Sequence, residues 1–241
     1  MERCFITGPD GVHRMHLTKA VWSMTGGTRA IMTEFENAVE ERSVEDELSI
    51  LIEKLNHAIT IQKISITDLS TDAIVNAANS GLWAGSGVCG AIFKAAGHEK
   101  LRMACDEIGH CDVGSAVITP GFNLKAKHII HAVGPRWIDG EHREPQQLYS
   151  AYESSLRLAK ENQCHSIGFP LISAGIFGYP LQDAWNIAVR ACLDFIEKNA
   201  DYDIRIVFAV LSDSILQEGR KQLASDLEER IYFFKGGLNA N

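Results

Sequence analysis

From residue 60 onward, short apolar runs alternate with longer stretches in which apolar residues recur every three or four positions. The apolar runs 60–66, 73–76, 114–119, 128–133, 166–171 and 204–211 predict strands. The helical-period stretches 88–96, 99–108, 145–162, 181–199 and 215–231 predict helices. Several of the runs lack polar alternation, as expected of strands covered by helices on both faces. The order therefore predicts an α/β fold, a three-layer α/β/α domain around one central sheet. Trp185 shares a helix face with Leu181, Ala188 and Cys192 and is expected in the core.

Before residue 60 the pattern differs. The first thirty or so residues mix Gly, Thr and Met without a period. Thr33 with Glu36, and Ser43 with Asp46, have the form of capping boxes that open short helices. In the second, Val44, Leu48, Leu51, Ile52 and Leu55 fall on one helical face, the stripe of a helix that packs on a neighbouring domain. The expected organisation is an N-terminal extension over residues 1–59, partly helical and packed on the core, followed by the α/β domain over 60–241.

Composition narrows the partners. Hydrophobic residues make up 46% of the 241, enough for a substantial core, while the net charge is −8 with no basic stripe. A surface of that sign is unsuited to a nucleic-acid duplex. An anionic ligand must then be met locally, by backbone N–H groups. The six cysteines (Cys4, Cys89, Cys105, Cys111, Cys164 and Cys192) form no paired framework, which suggests reduced thiols. No apolar run has the length of a membrane span, and the first residues lack the basic-then-apolar pattern of a signal peptide. The cytoplasm is the expected compartment, with no membrane partner.

The chemistry concentrates in residues 72–97. An apolar run ends in Asn76 and Asn79, and a bend rich in glycine (Gly85, Gly87, Gly90) opens a helix near Val88. Glycines at a helix N-terminus let ligand oxygens approach unpaired N–H groups, where the helix dipole favours negative charge. Asparagines add neutral donors and acceptors suited to hydroxyls. Residues 85–90 formally match G-x-G-x-x-G, but residues 77–84 separate them from the strand, and no acidic residue closes the next one, as a dinucleotide-binding unit requires. A second glycine-rich segment, Ser173-Ala174-Gly175-Ile176-Phe177-Gly178-Tyr179-Pro180, also lies between a strand and a helix. Two such junctions can face each other at the C-terminal ends of a sheet. Cys105, His110, Cys111 and Asp112 lack the spacing of a four-ligand zinc site, and His131, inside an apolar strand, reads as a satisfied core histidine.

At these residues the chain resembles the macro domain family, particularly its MacroD-type branch. The resemblance covers residues 60 to about 231: D-A-I-V-N-A-A-N-S, G-S-G-V-C-G-A-I-F-K-A-A-G, I-I-H-A-V-G-P and S-A-G-I-F-G-Y-P, in family order. It implies a mixed central sheet, ADP-ribose or an ADP-ribosylated protein as partner, and no metal or cofactor. It further implies hydrolysis of ADP-ribosyl esters, or deacetylation of O-acetyl-ADP-ribose, with non-catalytic ADP-ribose binding as the alternative. By resemblance, Asn79 holds the outer ribose and carries the catalytic role. Asn76, Gly87, Val88, Cys89 and Gly90 would flank one side of the ligand, and Ser173, Ala174, Gly175, Ile176, Phe177 and Gly178 the other. Three positions depart from the family. Ser65, followed by Ile66, stands where an aspartate commonly accepts from the adenine amino group. Leu211 stands where an aromatic often stacks on the base. Cys89 stands where the MacroD-type loop usually has an aspartate that orients water or ribose.

Overall fold

The computed structural model describes residues 6–8, 11–13 and 44–238, in a chain that divides into two compact units, 1–42 and 43–241. In the first unit, β1 (Ile6–Gly8) and β2 (Gly11–His13) pair antiparallel. The capping pair Thr33 and Glu36 lies outside the described residues.

The second unit opens with α1 (Val44–Ala58), which runs directly into β3 (Ile59–Lys63). Then follow β4 (Ala73–Ala77), α2 (Gly87–Ala96), α3 (His98–Ile108), β5 (Ala116–Pro120) and β6 (His128–Ala132). The chain continues through α4 (Glu144–Glu161), β7 (Ser166–Phe169), α5 (Leu181–Lys198), β8 (Arg205–Val210) and α6 (Asp213–Leu238). The sheet order is β3-β8-β7-β4-β6-β5, parallel throughout except for β5, which pairs antiparallel with β6. Each strand and helix expected after residue 60 is present, and the sheet is mixed. Where ends differ, local chemistry accounts for it. β3 stops early because the chain turns after the Ile64 N–H donates to the Val210 carbonyl at 3.0 Å. β7 stops before Pro170, which has no N–H to continue the ladder.

Period-2 alternation sorts the sheet residues into two cores. Ala73, Val75, Ile167, Phe169, Ile206 and Phe208 face one way, into a cluster with Tyr152, Trp185 and Leu55. Ile74, Ile129 and Val207 face the other, against Ile92, Phe93 and Leu101 of α2 and α3. These are the two faces of a three-layer domain. Leu55 is fully buried, and Leu51 packs against the same cluster, so the C-terminal part of the α1 stripe is seated on the core of its own unit. The first cluster centres on Phe208, with Phe169 stacked at 5.7 Å and Trp185 edge-on at 5.1 Å between ring centroids.

The second face holds a polar group at its centre. Asn76 and His131 are paired across β4 and β6, with Asn76 Nδ2 3.1 Å from His131 Nδ1. An amide donor at Nδ1 leaves the ring proton on Nε2, which donates to Thr119 Oγ1 at 2.9 Å. Cys105 Sγ lies 3.9 Å from the same Nε2. His131 is therefore a satisfied core histidine, and burial lowers its pKa to about 4.

Two stability measurements follow. Phe208→Ala should cost about 3–5 kcal/mol, the usual range for an aromatic truncated in a close-packed core, read from the urea midpoint. The depressed pKa of His131 makes its contribution full above its unfolded value near 6.5 and progressively lost as pH falls towards 4. The wild type should lose about 1.4 kcal/mol of extra stability per pH unit across that window. The same titration of His131→Asn should lack that component of the slope; equal slopes would contradict the assignment of a neutral buried imidazole.

Candidate functional site

Because the parallel strands β8, β7, β4 and β6 are adjacent, the loops that leave their C-terminal ends converge, as ligand loops of open α/β sheets do. Between them lies a cleft of about 440 Å³. Its floor and walls come from Ala77–Asn79 after β4, Gly134 after β6, residues 170–177 after β7, and residues 209–211 at the end of β8. Residues 85–89 at the start of α2, and Ile215 of α6, complete it. None of the side chains lining the cleft carries a charge.

The first loop meets the cleft through a helix N-terminus. Gly87 opens α2 at φ +61°, in the left-handed region that glycine adopts without strain, and Ser86 makes no side-chain cap bond. The first N–H groups of a helix have no intrahelical acceptor, so the amides that begin at Gly87 and Val88 remain donors for a ligand. The second loop is held in a tight form: the Gly178 N–H donates to the Gly175 carbonyl at 2.9 Å and the Tyr179 N–H to the Ser173 carbonyl at 3.0 Å. Ser173 itself sits at φ +64°, a left-handed conformation costly for a residue with a side chain. The second loop comes close against Gly134 after β6, where an added Cβ would collide with Ser173 Oγ and Ile172.

Two polar atoms of cleft-lining residues, Asn79 Oδ1 and Ser173 Oγ, are buried with no hydrogen-bond partner in the protein. Buried polar groups are normally satisfied, so these two orphans mark where a ligand's hydroxyl or amide belongs. Asn79 is already aimed by its other end, since Nδ2 donates to the Trp83 carbonyl at 2.8 Å.

Cys89 lines the cleft but is committed to the protein. Its Sγ accepts the Gly85 N–H at 3.3 Å and one Asn76 Nδ2 proton at 3.6 Å, and faces the Trp83 carbonyl at 3.8 Å. The thiol thus staples residues 83–85 to α2.

Of the residues singled out from the sequence, Asn79, Gly87, Val88, Cys89, Ser173, Ala174, Gly175, Ile176, Phe177 and Leu211 line this one cleft. Five others do not. Asn76 is buried beneath it, one amide proton on His131 and the other on Cys89, so it supports the loop from below the cleft. Gly90 is one residue too far along α2, and Gly178 stands at the back of its loop at φ +71°. Ser65 Oγ is paired with Thr67 Oγ1 at 2.8 Å in the turn after β3, and Ile66 is buried in the core beneath α2. The zinc reading of Cys105, His110, Cys111 and Asp112 fails on geometry: Cys105 is buried beside His131, while His110 and Asp112 pair with each other at 3.0 Å on the surface.

The sequence reading missed a brace behind the second loop. The Trp137 N–H donates to the Phe177 carbonyl at 2.9 Å, and the Trp137 ring meets Tyr179 edge-on at 4.7 Å. The following turn closes on Glu144, whose Oε1 accepts N–H groups from Ile138, Asp139 and Gly140 at 3.2–3.3 Å. Burial alone would raise the Glu144 pKa; the backbone donors outweigh it and hold the carboxyl below its usual range. The G-P after β6 was the available signal, since it marks a close approach followed by a fixed turn.

Comparison with known proteins agrees with this geometry. Residues 75–188 match the family model for the macro domain. A macro domain-containing protein of Chlorobaculum tepidum is 46% identical over 171 residues, covering 71% of this chain and 96% of that one. A protein of Escherichia fergusonii named O-acetyl-ADP-ribose deacetylase is 52% identical over 139 residues, or 56% of this chain and 78% of that one. Among solved structures, the Oceanobacillus iheyensis macrodomain with ADP superposes with a TM-score of 0.66 at 36% identity, covering 71% of this chain and 92% of that chain. The Trypanosoma brucei macrodomain in complex with ADP-ribose gives 0.64 at 36% identity, over 68% of each chain. With the mixed sheet, the paired glycine loops and a relative covered almost end to end, the chain belongs to the macro domain family.

Proposed function

We propose that the cleft binds ADP-ribose and that the protein hydrolyses ADP-ribosyl esters, on proteins or on O-acetyl-ADP-ribose. The observation that carries the reading is the pairing of two glycine loops with orphaned Asn79 Oδ1 and Ser173 Oγ in a cleft without charged side chains. Such a site suits a ligand with many oxygens and a central anionic group, met by backbone amides. The order of the walls suggests a ligand orientation. The apolar end, by Leu211 and Ile215 after β8, suits the base; the loops over β7 and β4 suit the diphosphate; Asn79 and Phe177, towards β6, suit the outer ribose. Relatives named O-acetyl-ADP-ribose deacetylase at about half identity support the hydrolytic step.

The chemistry needs no strong protein base. A water held by a ligand phosphate oxygen near the outer ribose attacks the ester; the ribosyl–acyl link breaks, and water supplies the oxygen and the two protons shared between ADP-ribose and the released acid. The protein positions the groups, which is where much of the acceleration of such a reaction lies. One observation favours a second reading, a non-catalytic ADP-ribose reader. Cys89 stands in the usual aspartate's place and spends its hydrogen bonds on Gly85, Asn76 and Trp83, which leaves water to be oriented without it.

Calorimetry with ADP-ribose should give a micromolar dissociation constant, about −8 kcal/mol. Asn79→Ala should weaken it at least about ten-fold, since it removes a buried hydrogen bond to the ligand. No heat with ADP-ribose, alongside clear binding of another nucleotide, would refute the assignment of the pocket.

Turnover separates the two readings. Wild-type protein should release ester-linked ADP-ribose slowly but above buffer. Cys89→Asp should raise the rate roughly ten- to hundred-fold, the range of one hydrogen bond to a charged group. Tight binding with no release by either form leaves the reader.

A further inference from the structure

Arg136 is set beside the end of the cleft where the outer ribose is assigned. Its guanidinium lies over the Phe177 ring, 5.0 Å from the centroid, and Phe177 lines the cleft. Pro135 before it and the Trp137 N–H bond to the Phe177 carbonyl after it fix its backbone. The side chain is exposed and has no ion pair among the described residues. Arg102 pairs with Glu99 and Asp106, Arg157 with Glu161, and Arg230 with Asp194 and Glu197, whereas Arg136, like Arg143, Arg190, Arg205 and Arg220, has no ion pair among the described residues. Arg136 is set apart by lying over a ring that lines the cleft. A cation without a carboxylate, at the rim of an uncharged cleft in a protein of net charge −8, is placed for an anion from outside.

That anion is not the diphosphate. The diphosphate is assigned between the loops over β7 and β4, where α2 presents its N-terminal amides, whereas Arg136 follows β6 and lies over the Phe177 ring without lining the cleft itself. What leaves the cleft past Phe177 is the group joined to the outer ribose. We propose that Arg136 is a specificity residue that reads carboxylates flanking the modified position, so that ADP-ribosyl groups on acidic peptide segments are preferred. This rests on the ADP-ribose reading above and names the substrate class within it. Stacking on an aromatic ring holds the guanidinium plane and leaves its N–H edge free for a carboxylate.

The test uses the full chain and two synthetic peptides carrying ADP-ribose through a hydrolysis-resistant linkage, one flanked by glutamates and one by serines, with free ADP-ribose as the third probe. By fluorescence anisotropy at low salt, the wild type should bind the acidic conjugate roughly two- to five-fold more tightly than the neutral one, as for an exposed ion pair, and the ratio should fall with added salt. Arg136→Gln, whose planar amide can still lie on the ring, should bring the ratio to one, and Arg136→Glu should invert it. Free ADP-ribose should bind both variants within about two-fold of wild type. Equal affinities of wild type for the two conjugates would overturn the proposal. So would an equal loss on all three probes, which makes Arg136 only a brace for Phe177 or a partner of the diphosphate. Failure of wild type to bind free ADP-ribose would overturn the ADP-ribose reading itself, and this proposal with it.

Discussion

Asn76 ties the ligand end of the molecule to its core. Its Nδ2 gives one proton to His131, across the β4–β6 pair, and the other to Cys89, in the first turn of α2. The register of β4 on β6 therefore determines the position of Cys89, and Cys89 in turn holds the Gly85 amide and the Trp83 carbonyl. Asn79 is aimed by that same carbonyl. A hydrogen-bonded line thus runs from the middle of an apolar core to the side chain assigned to the ribose. Its inner part, at Asn76 and His131, lies in a low-dielectric interior, where each satisfied bond is stronger and each broken one more costly. Its outer end at Trp83 is exposed.

This explains why the fold was legible in the sequence while parts of the site were not. Strands buried on both faces declare themselves as apolar runs, and amphipathic helices by their period, so residues such as Val75, Ile130 and Trp185 could be assigned to the core from pattern alone. The glycine loops were equally plain, because a left-handed backbone or a close approach leaves few alternatives to glycine. What pattern does not carry is direction. Asn76 and Asn79 look alike in N-A-A-N, yet the first points into the layer beneath α2 and the second lies at the cleft. Parity along β4 separates them: Asn76 follows Ile74 on the helix-covered face, and Asn79 has left the strand. Arg136 and Trp137 are hard to place from sequence for another reason. Their roles depend on contacts across 40 residues of chain, from Trp137 to Phe177, that no local spacing encodes.

The electrostatics of the cleft follow from the same economy of side chains. A protein with net charge −8 repels an anion at long range, and no lysine or arginine lines the walls. The attraction available is short-ranged: helix N-terminal amides and loop N–H groups, effective within a few ångströms of where phosphate oxygens sit. Such donors discriminate by position more than by charge. They suit a ligand whose anionic group is fixed between two recognised ends, and they serve poorly for a free anion that can bind anywhere.

Cys89 brings these strands together. On the proposed reading, a carboxylate at this position would orient water or the ribose, but it would also stand close to a dianionic diphosphate and weaken binding of substrate and product alike. A thiol takes that carboxylate away while keeping the two N–H bonds that close the loop. Catalysis depends on stabilising the transition state more than the bound ground state. On the proposed reading, exchanging the carboxylate for a thiol would move stabilisation from the former to the latter and tilt the cleft towards holding ADP-ribose over releasing it. On that reading, Cys89 is, of the three departures at Ser65, Leu211 and Cys89, the one where reader and hydrolase differ by a single charge.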